Sequence, residues 1–332
     1  MKPVVALCMT TTMQKRLFDR ENMKALKSVA RKVVAHDKDT KPDLADLTRL
    51  LRDADAAITT WGSPCFTAEV LALAPKLKLI AHSAGSVKAF VSDAVWARDI
   101  RVTQAAAGIA VAVAEYTLLC VLAGLKDSYR INQKLRAGGE WWDTRKTSRE
   151  MNKKTLGIIG ASHVGRNVIR LLKNFNVTIL LFDPYVNTAK AKELGVRKVT
   201  LAQLLKTSDV VSLHAPSTPA TKGMLGAKEF ALMKDNAVFI NTARGACIDE
   251  PALVGELQKG RFMAFIDVTE PEPPVAGHPF YSLPNVVLTP HIAGTVSDFT
   301  PLAALAIDEV KLFAAKKPAR FGVSKEMLAK IG

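Results

Sequence analysis

The chain has 332 residues, 48% hydrophobic and 23% charged, with 19 glycines and 16 prolines and neither repeat nor low-complexity tract; this is a globular composition of about two domains, which excludes collagenous and disordered classes. Its net charge of +15 is spread along the chain, and the densest basic stretch, Arg145 to Lys154, is broken by Glu150, so a solvated surface that draws small anions is expected and a nucleic-acid partner is not. Four distant cysteines (Cys8, Cys65, Cys120, Cys247) without a C-x-x-C pair, and no run of 18 apolar residues free of charge, read as reduced thiols of a cytoplasmic protein with no disulfide framework, no metal site and no membrane span.

Taken in order, the first hundred residues alternate short apolar runs with helical patterns. Strands are expected at Val4 to Cys8, Lys32 to Ala35, Ala56 to Thr59, Leu77 to Ala81 and Ile100 to Thr103, with helices such as Asp43 to Arg52 behind Pro42 and Thr67 to Leu73 behind Pro64. That alternation makes a parallel sheet with helices on both faces. The strand at Leu77 is followed by His82-Ser83-Ala84-Gly85-Ser86. This small-residue turn lies at a strand's carboxyl end, where open α/β sheets bind ligands; it reads equally as a place for backbone N–H groups to hold a carboxylate and as an ordinary loop.

A pattern with few breakers then runs from Gly108 to Arg136, apolar nearly all round in its first half. Such a helix is expected to be buried, either between subunits or as a bridge between domains. The polar loop after it, with Gly138, Gly139, Trp141 and Trp142, reads as a packed crossover.

Thr155 to Asp183 organises the rest. It runs as an apolar strand (Leu156 to Ile159), glycines at 160 and 165, a helical pattern (Val164, Val168, Leu171, Leu172) and a second apolar run ending in a carboxylate. Gly160 allows a sharp turn out of the strand, Gly165 allows the helix to approach the sheet, and the N–H groups of the helix start offer a seat for a pyrophosphate. Asp183 is placed to accept both hydroxyls of an adenosine ribose and to repel a 2′-phosphate, which favours NAD over NADP. The G-x-G-x-x-G fingerprint is imperfect, because Ser162 stands at the middle glycine; its hydroxyl is a possible donor to a phosphate oxygen.

Beyond Asp183 further strands are expected at Val210 to Leu213, Ala237 to Asn241, Met263 to Asp267 and Val286 to Leu288. The loops after them carry His214 with Pro216, then Thr242 and Arg244, then Asp267, Glu270 and Glu272, then His291. Four such loops in one parallel sheet point to one edge, the edge that also holds the glycine turn. Arg244 offers a planar fork matched to a carboxylate, His291 can exchange a proton with an alcohol or carbonyl oxygen near neutrality, and a carboxylate such as Glu272 beside the imidazole would stabilise its charged form. With NAD, this set suits hydride transfer at C2 of a 2-hydroxy or 2-oxo acid. Taken singly, Arg244 reads equally as a surface ion pair, His291 as a strand-end hydrogen-bonding residue and Glu272 as a loop charge.

Nearly the whole chain resembles the NAD-dependent D-isomer-specific 2-hydroxyacid dehydrogenases. The matching segments are Thr155 to Gly165, Ser208 to Leu225, Ala231 to Leu253 with its NTARG block, DVTEPEPP (Asp267 to Pro274) and Leu283 to Gly294 with its TPHIAG block. By position, the resemblance implies that Arg244 binds the substrate carboxylate and carbonyl, that His291 is the acid/base and that Glu272 is its partner. It implies further that Asp267 approaches the nicotinamide carboxamide, that His214, Ala215, Pro216, Thr242 and Ala243 line the cofactor, and that His163 and Val164 give amides to the pyrophosphate. Gly85 and Ser86 would touch substrate, and Lys88, where the family commonly has Asp, suits a more acidic one. The implied fold is α/β with two doubly wound parallel-sheet domains: a Rossmann-type NAD domain, 102–292, inserted into a flavodoxin-like substrate domain formed by 1–101 plus 293–332, with dimerisation through the inserted domain. The segment from Asp267 to Gly294 is similar to glyoxylate/hydroxypyruvate reductases, and 332 residues leave no room for the regulatory domain that many phosphoglycerate dehydrogenases carry. The alternative from another class is an NAD-sensing binding protein like the related transcriptional corepressors.

Overall fold

The structure is a computed structural model that describes residues 2–328. The backbone divides into two compact units, one made of residues up to Ile109 together with those from Thr295 onward, the other of Ala110–Gly294.

In the first unit the strands are β1 (Val4–Leu7), β2 (Lys32–Ala35), β3 (Ala56–Thr59), β4 (Leu79–His82), β5 (Arg101–Gln104) and, from the chain end, β13 (Gly322–Val323). Their order is β13-β5-β4-β3-β1-β2, parallel except for β13. The order 2-1-3-4-5 is that of a flavodoxin-like sheet. Alternate residues of the central strands feed two cores: Ala6, Ala57, Ile80 and Val102 on one face, Val5, Leu7, Ile58 and Leu79 on the other. Burial on both faces is why these strands read as continuous apolar runs.

The second unit holds β6 (Thr155–Ile159), β7 (Thr178–Phe182), β8 (Arg197–Lys198), β9 (Val210–Leu213), β10 (Val238–Asn241), β11 (Met263–Ile266) and β12 (Val286–Leu288). All pair in parallel, in the order β12-β11-β10-β9-β6-β7-β8. Counted from β6 this is 3-2-1-4-5-6-7, the Rossmann order with one strand added, and the direction of winding reverses between β6 and β9. Two parallel sheets of the expected kinds are therefore present.

Several local expectations are corrected. The Gly108 to Arg136 stretch is two helices, Ala106–Lys126 and Ser128–Arg136. Asp127 breaks them at φ +53°, its buried carboxylate held by Arg130 at 2.6 Å and Thr147 at 2.5 Å. The helix Ala106–Lys126 is long and apolar enough, by length and composition, to cross a bilayer; here its Ala114, Cys120, Val121 and Leu125 belong to the core of the second unit. The loop after it is not a packed crossover, since Trp141 and Trp142 are 65% and 61% exposed. The strand expected from Leu77 begins at Leu79 and takes in His82, because the Leu77 N–H is spent on the turn to Ala74.

Candidate functional site

The glycine turn leaves β6 at Gly160, whose φ is +95°. A Cβ on Gly165 would lie 2.1 Å from the Gly160 carbonyl oxygen, so only glycine lets the helix His163–Leu172 sit this close to the turn. Ser162 is the N-cap of that helix, in extended conformation (φ −62°, ψ −178°), its Oγ accepting from Gly165 N at 3.4 Å. The missing middle glycine thus costs no backbone strain, and the serine hydroxyl keeps its proton to donate. His163 and Val164 are the first helical residues, at the positive end of the helix dipole. Burial, and secondarily Arg166, pushes the His163 imidazole below its ordinary pKa, keeping positive charge off the ring.

Asp183 directly follows β7. Its Oδ2 accepts from Ala161 N and its Oδ1 from Tyr185 N, both at 2.7 Å. The carboxylate is thereby fixed against the glycine turn, and each oxygen retains a lone pair for a ribose hydroxyl. Beside it opens a cavity of about 680 Å³ walled by Pro184, Lys192, Val199 and Gln203. The positive-φ turn, the close helix approach and this anchored carboxylate fit an adenine dinucleotide of the NAD type.

After β9 the side chain of His214 is a core group. It is buried, Nε2 pairs with Ser212 Oγ at 2.9 Å, Nδ1 has no partner, and burial pushes its pKa down to about 3. What reaches the glycine turn is its backbone: a Cβ on Gly160 would lie 2.9 Å from the His214 carbonyl and from Ala215 N. The Ala215 and Pro216 carbonyls accept from Cys247 Sγ at 3.8 and 3.7 Å, tying the β9 loop to the loop after β10.

That second loop is built by Asn241, whose side chain donates to the Arg244 carbonyl and accepts from Ala243 N, each at 3.1 Å. Thr242 is buried, Ala243 half-buried, and Arg244 is exposed, its Nη1 donating to the Ala243 carbonyl at 2.6 Å. Next comes Gly245, where a Cβ would lie 2.1 Å from the Thr269 carbonyl carbon. The Arg244 loop therefore packs on the backbone just before Glu272. Glu250 holds the same segment, accepting from Glu270 N at 2.7 Å, and burial raises its pKa.

His291 stands after β12 at φ +54°. Its Nδ1 lies 2.7 Å from Glu272 Oε1, with the two side chains 46% and 43% exposed. An ionised carboxylate only accepts, so Nδ1 carries the proton and Nε2 is left to take or give one. The unusual backbone is held by Asp267, which is 2% exposed. Its carboxylate accepts from Thr289 Oγ1 at 2.6 Å, Ile292 N at 2.9 Å and Ala293 N at 2.9 Å, and its carbonyl accepts from His291 N at 2.9 Å. Because the Thr289 proton goes to Asp267, Tyr116 must donate to Thr289 Oγ1, 3.0 Å away; burial pushes that phenol up to about 12 and keeps its proton on. By the same reasoning Thr117, whose proton goes to Val113 at 2.8 Å, accepts from Thr242 at 3.2 Å. One turn of helix Ala106–Lys126 thus braces both the Arg244 loop and the His291 loop. A cavity of about 730 Å³ opens beside Glu272, lined by Tyr129, Thr269, Phe280, Tyr281 and Thr289.

Gly160, Ser162, Asp183, His214, Arg244, Asp267, Glu272 and His291 thus all fall on the carboxyl edge of one sheet. Gly85, Ser86 and Lys88 follow β4 in the first unit, where Ser86 Oγ accepts from Lys88 N at 3.4 Å. His82 is buried there against Thr59 Oγ1 at 2.9 Å, and burial pushes its pKa down to about 3. Tyr116, Thr117, Asn241 and Thr289 were not singled out by sequence; the adjacent hydroxyls at 116 and 117 in a largely apolar helix were the available signal.

Residues 118–293 match the profile of the D-isomer specific 2-hydroxyacid dehydrogenase NAD binding domain. The D-3-phosphoglycerate dehydrogenase of Methanocaldococcus jannaschii is 34% identical over 266 residues, 80% of this chain and 50% of that one. The glyoxylate reductase of Aeropyrum pernix is 32% identical over 301 residues, 88% of this chain and 89% of that one. The chain spans about half the length of the phosphoglycerate dehydrogenases it matches. Among solved structures, a phosphoglycerate oxidoreductase from Rhizobium etli superposes with a TM-score of 0.82 at 25% identity, covering 97% of this chain and 99% of its own. The D-mandelate dehydrogenase of Rhodotorula graminis shares the fold, with a TM-score of 0.83 at 22% identity and 98% coverage of both chains.

Proposed function

Because the chain belongs to the D-isomer specific 2-hydroxyacid dehydrogenase family, we propose that it interconverts a small 2-oxo acid and the corresponding D-2-hydroxy acid with NAD(H). The observation that carries this reading is the 2.7 Å contact between His291 Nδ1 and Glu272 Oε1 on the edge that also bears Arg244 and the glycine turn. NADH supplies the hydride when bound. The Arg244 guanidinium takes the substrate carboxylate and polarises the carbonyl. His291 Nε2 gives its proton to the oxygen that becomes the hydroxyl, while Glu272 fixes the ring through Nδ1 and balances the charge. In the oxidative direction the same nitrogen receives that proton. Asp183 accepts the ribose hydroxyls, and Ser162, His163 and Val164 donate to the pyrophosphate.

The match to a glyoxylate reductase over nearly all of both chains favours a short acid such as glyoxylate or hydroxypyruvate. Val111, Leu119, Leu122 and Tyr129 are exposed along the Ala106–Lys126 and Ser128–Arg136 helices, which supports a homodimer formed through the second unit, and the four free cysteines support a cytoplasmic location. The test is a screen of NADH oxidation against glyoxylate, hydroxypyruvate, pyruvate and longer 2-oxo acids. Turnover of at least one short acid is expected; NADH binding with no turnover of any would overturn the reading and favour a sensor.

A further inference from the structure

His36 directly follows β2, and its side chain is completely buried. The ring Nε2 lies 2.9 Å from the Thr40 carbonyl oxygen. A carbonyl only accepts, so Nε2 carries the proton and the neutral ring has its lone pair on Nδ1. Nδ1 has no hydrogen-bond partner and no solvent. Facing it are Asp46 Oδ2 at 3.9 Å and Asp37 Oδ1 at 4.0 Å, the three atoms all within 4.8 Å of one another. A desolvated lone pair between two carboxylate oxygens is an arrangement that a cation relieves.

We propose that His36, Asp37 and Asp46 bind one divalent d-block cation of the Zn²⁺ type. An imidazole that donates one ring N–H to a backbone carbonyl and turns its other nitrogen to carboxylates has the orientation typical of a metal-ligating histidine. Bonds of about 2.0–2.2 Å place neighbouring donors of a tetrahedral ion roughly 3.4 Å apart, so closing the site moves each donor by only about half an ångström. One nitrogen with two oxygens suits Zn²⁺, Co²⁺ or Ni²⁺, whereas Ca²⁺ and Mg²⁺ prefer about six or more oxygens. A fourth position is left for water.

The two carboxylates already carry cationic partners that an ion would compete with, Arg49 on the same Asp37 oxygen and Lys38 on the other oxygen of Asp46. Lys38 Nζ lies 2.8 Å from Asp46 Oδ1 and Arg49 Nη2 lies 2.7 Å from Asp37 Oδ1, and both cationic side chains are about half exposed. The Arg49–Asp37 pair, exposed on both sides, contributes little and yields readily. Asp46 Oδ2 also accepts from Asp43 N at 3.3 Å in the capping box of helix Leu44–Leu51. The ion would therefore clip the end of β2 to the first turn of that helix, stabilising the folded unit by mass action. Residues 36, 37 and 46 fit no familiar ligand spacing, which is why the sequence carried no metal expectation.

The test is calorimetric titration of tag-free, chelator-treated full-length protein with ZnCl₂, followed by Co²⁺ spectroscopy. One equivalent is expected at His36, with a raised melting temperature on saturation. His36→Ala should weaken it by about tenfold or more. Asp37→Asn, at an exposed side chain that the fold tolerates, should do the same and lose the thermal shift. Lys38→Ala should tighten binding, since it removes a competitor, an effect that a purely structural ion pair does not give. Absence of binding to the wild type, or an equivalent that survives both His36→Ala and Asp37→Asn, would overturn the assignment.

Discussion

Asp267→Asn tests whether the buried carboxylate works by holding the His291 loop. The carboxylate accepts three hydrogen bonds, from Thr289 Oγ1, Ile292 N and Ala293 N. Asparagine has the same shape and keeps one oxygen for Thr289 and Ile292, but turns an amide N–H₂ toward Ala293 N. The loss is one charge-assisted hydrogen bond plus a buried donor facing a donor, together about 3 kcal/mol. For a unit of this size that lowers the melting temperature by roughly 6–12 °C. Because His291 holds φ +54° through this clamp, its ring loses its placement, and displacement on the order of an ångström costs roughly a hundredfold in rate. The assays are differential scanning fluorimetry, steady-state kinetics and NADH titration by fluorescence. We expect kcat to fall with NADH affinity within about twofold of wild type. A variant that melts and turns over like the wild type would refute the clamp. A loss confined to NADH affinity would instead give the carboxylate to the nicotinamide, as the family resemblance implies.

Gly165→Ala puts a Cβ 2.1 Å from the Gly160 carbonyl, so the helix must withdraw from the turn; NADH affinity should fall about tenfold or more, and an unchanged titration would remove the turn from the cofactor site. Asp183→Ala frees the ribose position and the N–H groups of Ala161 and Tyr185; it should narrow the preference for NADH over NADPH, measured as the ratio of kcat/KM values, and an unaltered ratio would mean the ribose is held elsewhere. Stability should also fall in acid. His82 and His214 ordinarily titrate at 6.5 but are pushed down to about 3 by burial, so the unfolded chain takes up protons that the fold refuses. Their contribution is whole above about pH 6.5 and is lost as pH falls toward 3, by about 2 kcal/mol per ring at pH 5. Urea unfolding at pH 7 and pH 5 measures it, and coincident midpoints would contradict the buried neutral rings.

Much of the architecture was legible because buried parallel strands must be apolar on both faces. Val4–Leu7, Ala56–Thr59 and Val210–Leu213 stand out for that reason. Two-residue strands such as Arg197–Lys198 carry no such pattern. Nor did the helix break at Asp127, whose carboxylate is held by Arg130, three residues on, and by the distant Thr147. The placing of the His214 imidazole was not legible either: it is buried and pairs with Ser212, while the backbone of the same residue lies against the glycine turn. The Tyr116–Thr289–Asp267 chain joins residues 173 and 22 positions apart, a relation that no local pattern encodes.

The proton-transfer role of His291 is tested most directly by His291→Asn, because asparagine tolerates the left-handed backbone at this position yet cannot carry a proton near neutrality. NADH titration and NADH oxidation by glyoxylate or hydroxypyruvate should be followed on the same preparation. We expect NADH binding within about twofold of wild type and turnover reduced by about 10²–10⁴-fold. Turnover close to that of the wild type, with binding intact, would contradict the account.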